Sequence, residues 1–506
     1  MPVEQPVAAD DGEKTPAAIE IETTTVSTAE DRALVRRIDI WLCPMVALSM
    51  TLQYMDKQTL PAASILGLIQ DLHLSGNQYS WVTSIFYFGY LTSTYATPYL
   101  MVRWPVGRVL CCTFLTWAAI VGGHAALKDF GGLMAARYLL GAAEAAAVPG
   151  TSLMIGMFYQ RQEHALRHGF WFLGQSLGIM LAGLLSFGVA NIKSGVGAWK
   201  WLFVAMGVIT LIWSALMFWQ LPDHPGTAKF LSKDQQVRAV ARLRSNQMVV
   251  KTNRFQWDQF REALLDLRIW LLCFYLLCMS VCSSSINAFS QIVLVGLGFD
   301  VYQANLFLIA VGAVHATFGI VSAYVCSRYR NIRCITSVLL CSLSLMGSIL
   351  VRFGPNLGAK MFGFLIIFAF PATISIAYSM IASNVAGFTK KSVAASIATL
   401  GYCVGNIIGP FLFFPREAPK YPVCICLSKF DTWTDRPLQS GFTGSAACFG
   451  IGIVLMVVLF FITRYENNRR DKLYGVVDQA ILSVVEEEVC NTDRTDGKNS
   501  AFRYMM

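Results

Sequence analysis

Charge is what this sequence has least of. Of its 506 residues only 14% are Asp, Glu, Lys or Arg while 55% are hydrophobic, and the mean hydropathy is +0.51. The interior of a soluble domain could not hide that much apolar surface. Histidine is also scarce, at six residues, and no His or Cys spacing suggests a structural metal. No stretch runs from strand through Gly-rich loop to helix, so neither a P-loop nor a dinucleotide fold is supported, and direct ATP driving is not expected. No nucleophile stands with a base, which argues against a membrane enzyme. Residues 1–31 are rich in Pro, Ala, Thr, Glu and Asp and lack a basic segment followed by an apolar core, so no cleaved signal peptide is expected there. The chain has fourteen cysteines, but Cys111, Cys112, Cys273, Cys278, Cys282 and Cys341 sit inside apolar runs, where they act as small hydrophobes.

Those apolar runs are what the chain does have. They fall at about 41–69, 81–101, 109–126, 132–158, 169–190 and 201–221, and again at about 270–297, 304–326, 335–353, 361–383, 393–414 and 442–465. Each is close to the roughly 20 residues that cross a bilayer. The expectation is an all-α membrane protein with twelve transmembrane helices in two six-helix bundles, 37–221 and 268–466. A disordered tail over 1–36, a polar central loop over 222–267 and a second tail over 467–506 complete it. The net charge of +9 does not indicate nucleic acid, because the basic residues lie in short clusters between apolar runs. Arg103 and Arg108, Arg161 and Arg167, the central loop, Arg328 to Arg333, Lys390 and Lys391, and Arg464 to Arg470 all follow even-numbered spans. Positive charge is retained on the cytosolic side, so both termini are expected there.

Against this background a few ionisable residues stand out. Arg137 and Glu144 lie seven apart in an otherwise apolar segment rich in small residues, so on a helix they share a face about two turns, or roughly 10 Å, apart. Asp56 and Lys57 fall near the middle of the first run. Pro61, which cannot donate a hydrogen bond, predicts a kink beside them. Ionisable groups at membrane depth are costly and mark substrate or proton paths. A structural ion pair is the alternative for Arg137 and Glu144 alone, weakened by the second charged pair. Burial disfavours a charged carboxylate and a nearby cation favours it. A substrate anion engaging Arg137 would therefore let Glu144 take up a proton, coupling the two by electrostatics.

These residues also carry a resemblance. The two-half arrangement resembles the major facilitator superfamily. Tyr54-Met-Asp56-Lys57 and the stretch from Arg137 to Glu144 are similar to its anion:cation symporter branch, fungal allantoate permease-like group. Further support comes from Phe230-Leu-Ser, the Asn246-Gln pair, Phe260 to Asp266, Ser383 to Lys391 and Gly401 to Pro410. The resemblance implies that Arg137 meets the carboxylate of an organic anion, that Glu144 carries a coupling proton, and that Asp56 takes part in coupling beside Lys57. It also implies substrate contacts from Tyr54, Gln175 and Asn406. Gln175 and Asn406 have interhelical hydrogen bonding as an equal alternative. His315 reads as a satisfied core histidine, with proton transfer the other role open to it. Trp104-Pro105-Val106-Gly107-Arg108 and Ser327-Arg328 depart from the family's loop motifs, and Lys57 stands where many relatives have arginine.

Two further patterns remain. Gly174, Gly178 and Gly183, and Gly401, Gly405 and Gly409, are spaced for close helix approach. Residues 423–439 match nothing expected of the family, and their codons can spell the donor, branch point and acceptor of an in-frame fungal intron, so a retained intron or an atypical extracellular loop is expected there. The expected function is proton-coupled uptake of a small organic anion such as allantoate, nicotinate or pantothenate across a fungal plasma membrane. No cofactor is expected beyond the proton, no metal, and no partner beyond lipid; the chain is expected to act as a monomer. A facilitator or vacuolar exporter of the same fold, and a nutrient sensor that binds without transporting, are the alternatives.

Overall fold

A computed structural model describes residues 28–192, 195–244, 255–329, 331–413, 440–475, 495–499 and 502–506; the segment 423–439 and the start of the first tail lie outside them. Every regular element among the described residues is helical. The first half contains α1 (Thr28–Ala63), a π-turn (Ser64–Leu68), α2 (Ile69–Asp71), α3 (Gln78–Arg103), α4 (Val106–Gly123), α5 (Phe130–Glu144), α6 (Ala147–Phe158), α7 (Arg161–Ala190) and α8 (Ala198–Gln220). Between the halves lie α9 (Lys233–Arg244) and α10 (Trp257–Leu265). The second half has α11 (Leu267–Gly296), α12 (Val301–Arg328), α13 (Arg333–Phe353), α14 (Leu357–Ile367), α15 (Pro371–Asn384), α16 (Phe388–Ile408) and α17 (Ser440–Tyr474).

Ten described stretches are long and apolar enough to cross a membrane, α5 with α6 and α14 with α15 each counting as one. α1 and α3 complete the twelve crossings. Both are long, but α1 carries Gln53, Asp56, Lys57 and Gln58, and α3 spends its hydrophobicity on Tyr, Ser and Thr. α1 begins at Thr28, ahead of the boundary expected at 37, and α17 runs to Tyr474, past the boundary expected at 466. The expected kink also moves: α1 continues through Pro61, and the break comes at Gly67, whose φ of 105° lies in the region that favours glycine.

Polar residues set the helix ends. Asp129 accepts from Gly132 N at 2.7 Å to start α5, and Asn356 accepts from Ala359 N at 2.8 Å to start α14. Within the halves, α1 packs on α7 and α8, α3 on α5, α4 on α8, α11 on α16 and α17, and α13 on α14 and α17. The glycine spacings do what they predict. Cβ atoms at Gly174 and Gly178 would collide with α1, and Cβ atoms at Gly401, Gly405 and Gly409 with the carbonyls of Cys273, Leu277 and Val281 on α11.

The halves meet along α7 and α12, α3 and α16, and α1 and α11. The basic clusters gather at one end of the bundle, here the basic end. There Arg167 forks onto Asp39 at 3.0 and 2.7 Å, and Arg242 of α9 reaches Glu163 at 2.5 Å, binding α9 to the first half.

Candidate functional site

Besides the break at Gly67, two crossings are interrupted midway among the described residues, and they occupy corresponding places in the two halves. α5 ends at Glu144 and α6 resumes at Ala147; Pro149 cannot donate to the carbonyl of Ala145, which leaves the chain open beside the glutamate. In the second half α14 ends at Ile367 and α15 starts at Pro371. Paired interrupted helices at matching positions mark a site at the interface between repeats.

Around the first break the buried polar groups converge. Asp56 is 1% exposed, and its Oδ2 accepts from Trp117 Nε1 of α4 at 3.0 Å, while its Oδ1 has no hydrogen-bond partner. Glu144, also 1% exposed, lies beside Asp56, Gln53 and Lys57, with neither oxygen within hydrogen-bonding geometry of a donor. The Arg137 guanidinium rests over the Phe203 ring of α8, 5.5 Å from its centroid, and its Nε and Nη2 make no hydrogen bond. Asp56, Tyr79 and Glu144 are the groups it feels electrostatically. Gln53 is wholly buried with both amide atoms unpaired. So many unsatisfied polar atoms in one place are costly to stability and point to a working site rather than a packed core.

Lys57 lies on the more open side of this cluster. It is half-buried, its Nζ stands 5.0 Å from the Tyr54 ring centroid, and it has no carboxylate partner among the described residues. Tyr87 and Tyr402 meet edge to face at 6.2 Å, bringing the two halves together within reach of Tyr54 and Glu144. Asn406 follows one turn beyond Tyr402. Its Nδ2 donates to Tyr402 O at 2.8 Å while its Oδ1 stays unpaired.

The sequence-predicted residues Tyr54, Asp56, Lys57, Arg137 and Glu144 thus form one cluster, with Asn406 reaching toward it through Tyr402. Gln175 is buried on α7 and makes no hydrogen bond among the described residues. Sequence reasoning missed Trp117, Gln53 and Tyr87. Trp117 has no sequence signal, since an indole in an apolar run looks like core; Gln53 had one, being an amide one turn before Lys57. His315 is satisfied: its Nδ1 pairs with Ser176 Oγ at 2.7 Å and its ring stacks on Phe172 at 4.8 Å, joining α12 to α7.

At the end opposite the basic clusters the halves are stitched together. Gln58 Nε2 reaches Asn287 Oδ1 at 3.5 Å, Tyr79 OH donates to Ala288 O at 2.9 Å, Ser80 Oγ to Pro410 O at 3.0 Å and Ser84 Oγ to Ile407 O at 2.7 Å. Trp81 closes edge to face on Phe411 at 5.1 Å. Among the described residues every side-chain hydrogen bond between the halves lies at this end or at mid-depth, so the cluster is shut off from the opposite side.

Comparison with known proteins follows this geometry. A family model described as Major Facilitator Superfamily matches residues 46–410. The chain is 29% identical to an uncharacterised transporter of Schizosaccharomyces pombe, over 97% of this chain and 92% of that protein. It is also 29% identical to the allantoate permease of Saccharomyces cerevisiae, over 97% and 89%, and 27% identical to a thiamine pathway transporter of the same yeast, over 93% and 86%. Among solved structures it is similar to the proton:xylose symporter XylE, with a TM-score of 0.65 at 13% identity over 83% of this chain and 95% of that one. A bacterial Spinster homologue in an inward-facing state gives 0.61 at 13% identity over 84% and 96%.

Proposed function

The chain belongs to the major facilitator superfamily as a multi-pass membrane transporter, and from that premise we propose that it takes up a small organic anion together with protons. The observation that carries this reading is the buried cluster of Glu144, Asp56 and Arg137, in which both Glu144 oxygens, Asp56 Oδ1 and Arg137 Nε and Nη2 have no hydrogen-bond partner among the described residues. Two carboxylates side by side in a low-dielectric site repel one another when charged, and in this reading the coupling proton is carried between them. Arg137 supplies one positive charge and Lys57 a second nearer the open side. An anion arriving at Lys57 and Arg137 draws their field away from the carboxylates, and proton binding becomes more favourable as the anion binds.

Alternating access follows from the two halves. In this reading the cluster is reached from the basic end while the opposite end is stitched, and breaking the stitches while the basic end closes would present it to the other side. The excess of Lys and Arg at the basic end supports a cytosolic side for that end, because positive charge is retained there. In a fungal plasma membrane the cycle would import. The relative named as an allantoate permease supports a ureido carboxylate as the first substrate to try, with nicotinate and pantothenate next.

The test is uptake of labelled organic acids by cells expressing the chain, at acid and neutral outside pH, with and without a protonophore. Accumulation that rises at acid pH and collapses with the protonophore is the expected result. Uptake that merely equilibrates and ignores the protonophore would overturn proton coupling.

A further inference from the structure

Outside the central cluster, the largest assembly of buried charge lies at the basic end of the second half, and part of it comes from residues 495–499 and 502–506. Asp496 is fully buried. Its carboxylate pairs with Lys390 Nζ at 2.8 Å and Arg268 Nη2 at 3.2 Å, and accepts from Tyr504 OH at 2.8 Å and Ala386 N at 3.3 Å. Arg470 donates to the carbonyls of Asp496, Asn499 and Phe502 at 3.0, 3.1 and 3.2 Å, and to Tyr504 OH at 2.9 Å. The Tyr504 ring sits between two guanidinium groups, with Arg268 Cζ 3.7 Å and Arg470 Cζ 4.8 Å from its centroid. Two amide pairs fix the direction of the segment: Asn467 with the backbone of Tyr504 at 2.8 and 2.9 Å, and Asn384 with that of Met505 at 2.8 and 2.7 Å. Finally Arg333 N donates to Met506 O at 2.9 Å.

These anchors belong to α11, α13, α15, α16 and α17, and none lies in the first half. The segment is therefore a bar across one half, not a bolt between two. Its reach includes the connection from α15 to α16, the hairpin that follows the broken tenth crossing. That connection turns through Gly387 at φ 90°, and Gln259 Oε1 of α10 accepts from Thr389 N and Lys390 N at 3.0 and 3.2 Å. With Ala386 N on Asp496, the hairpin is held from both sides.

The cations that hold the bar do not depend on it for their neutralisation. Lys390 also pairs with Glu262 at 2.9 Å and Asp266 at 3.1 Å, and Arg268 pairs with Asp266 at 2.8 Å. Arg470 keeps Glu466 at 3.1 Å. Withdrawing Asp496 thus leaves every one of these cations with a carboxylate, whereas removing one partner of an isolated buried pair would orphan the other. A segment so well held, yet not needed to neutralise its site, suits reversible docking.

We propose that the basic end of the second half is a peptide-binding site filled by residues 495–499 and 502–506 of the same chain, and that this clasp holds the α15–α16 hairpin where it stands when the opposite end is closed. Closing the basic end requires the hairpin to move, so the clasp sets how readily the protein opens to the other side. This rests on the alternating-access reading above, but not on proton coupling or on the identity of the anion.

Hydrogen exchange on the purified protein, without substrate or gradient, tests it. Three chains are compared with the unchanged one: a chain ending at residue 494, Asp496→Asn, and Tyr504→Phe. The expected result is exchange several-fold faster at the opposite end, in residues 79–86 and 405–413, as well as around 384–390. A clasp that is only structural would change the neighbourhood of 384–390 and 467–470 and leave the opposite end as it was, and that outcome overturns the proposal. So does failure of all three variants to yield folded protein, which would make the segment a folding element. If uptake proves indifferent to protons while the exchange result holds, the coupling reading falls and the clasp stands.

Discussion

At the scale of single residues, the central cluster leaves buried polar atoms without hydrogen-bond partners, at a cost in stability. Glu144 has no donor to satisfy it, so replacing it with glutamine removes a titratable group without opening a cavity. Glu144→Gln is expected to fold, to exchange labelled anion across the membrane, and to lose accumulation against a gradient; accumulation that persists would take the coupling role from Glu144. Trp117→Phe acts on the neighbouring carboxylate. It deletes the donor held 3.0 Å from Asp56 and is expected to lower stability by about 1.5–3 kcal/mol, read by thermal unfolding. The charged members of this cluster were legible because ionisable residues in apolar runs are conspicuous. Gln53, Trp117 and Tyr87 were not, since a buried amide, indole or phenol becomes functional only through what lies opposite it, and that is decided by packing between helices distant in sequence.

At the scale of elements, small residues and caps do most of the positioning. α16 lies so close to α11 that a side chain at Gly405 would overlap the carbonyl of Leu277. Gly405→Val is expected to destabilise by at least the 1–3 kcal/mol typical of overpacking, seen as loss of folded protein on size-exclusion chromatography. That spacing was visible in the sequence, as were the twelve runs. The interruptions at Glu144 and at Phe368 to Phe370 were not, because hydropathy averages across them, although Pro149 and Pro371 marked the places. The α11 cap gives a pH prediction. Burial opposes ionisation of Asp266, but the hydrogen bond and charge of Arg268, then of Lys390, hold its carboxyl below the usual range. A depressed value contributes stability above the unfolded value of about 4 that is lost as pH falls through the folded one. The Tm difference between the unchanged chain and Asp266→Asn is expected to stay constant from about pH 5 to 8 and to shrink below about pH 4. Burial and then Asp496 raise the Tyr504 phenol, so its contribution is present below the unfolded value of about 10 and is lost only as strongly alkaline pH passes the folded one.

At the scale of the whole molecule, the balance between open ends rests on few bonds. Ser80 and Ser84 each give one hydrogen bond to the closed end, at a net worth of about 0.5–1.5 kcal/mol apiece. Ser80→Ala with Ser84→Ala is expected to shift the population toward the open opposite end by about tenfold, since a difference near 1.4 kcal/mol changes an equilibrium by that factor. Half-saturation of uptake would then fall to a lower outside concentration; an unchanged value would mean that these bonds do not govern opening. The division into halves and the basic end were readable from apolar runs and Lys and Arg placement. Which end is shut was not, because that depends on hydroxyls whose partners lie more than three hundred residues away, as with Ser84 and Ile407.

The receiving atoms at three of those stitches, on Ala288, Ile407 and Pro410, are main-chain carbonyls. A carbonyl is present whatever side chain accompanies it, so the second half can exchange residues at these positions without losing an acceptor. At these three stitches the lock demands specific residues from one half and only a backbone path from the other, while Asn287 and Phe411 are the places where it also uses a side chain of the second half. Substitutions at Ala288 or Ile407 therefore leave the acceptor of the latch in place, so the wall of the second half can change there while the latch continues to engage.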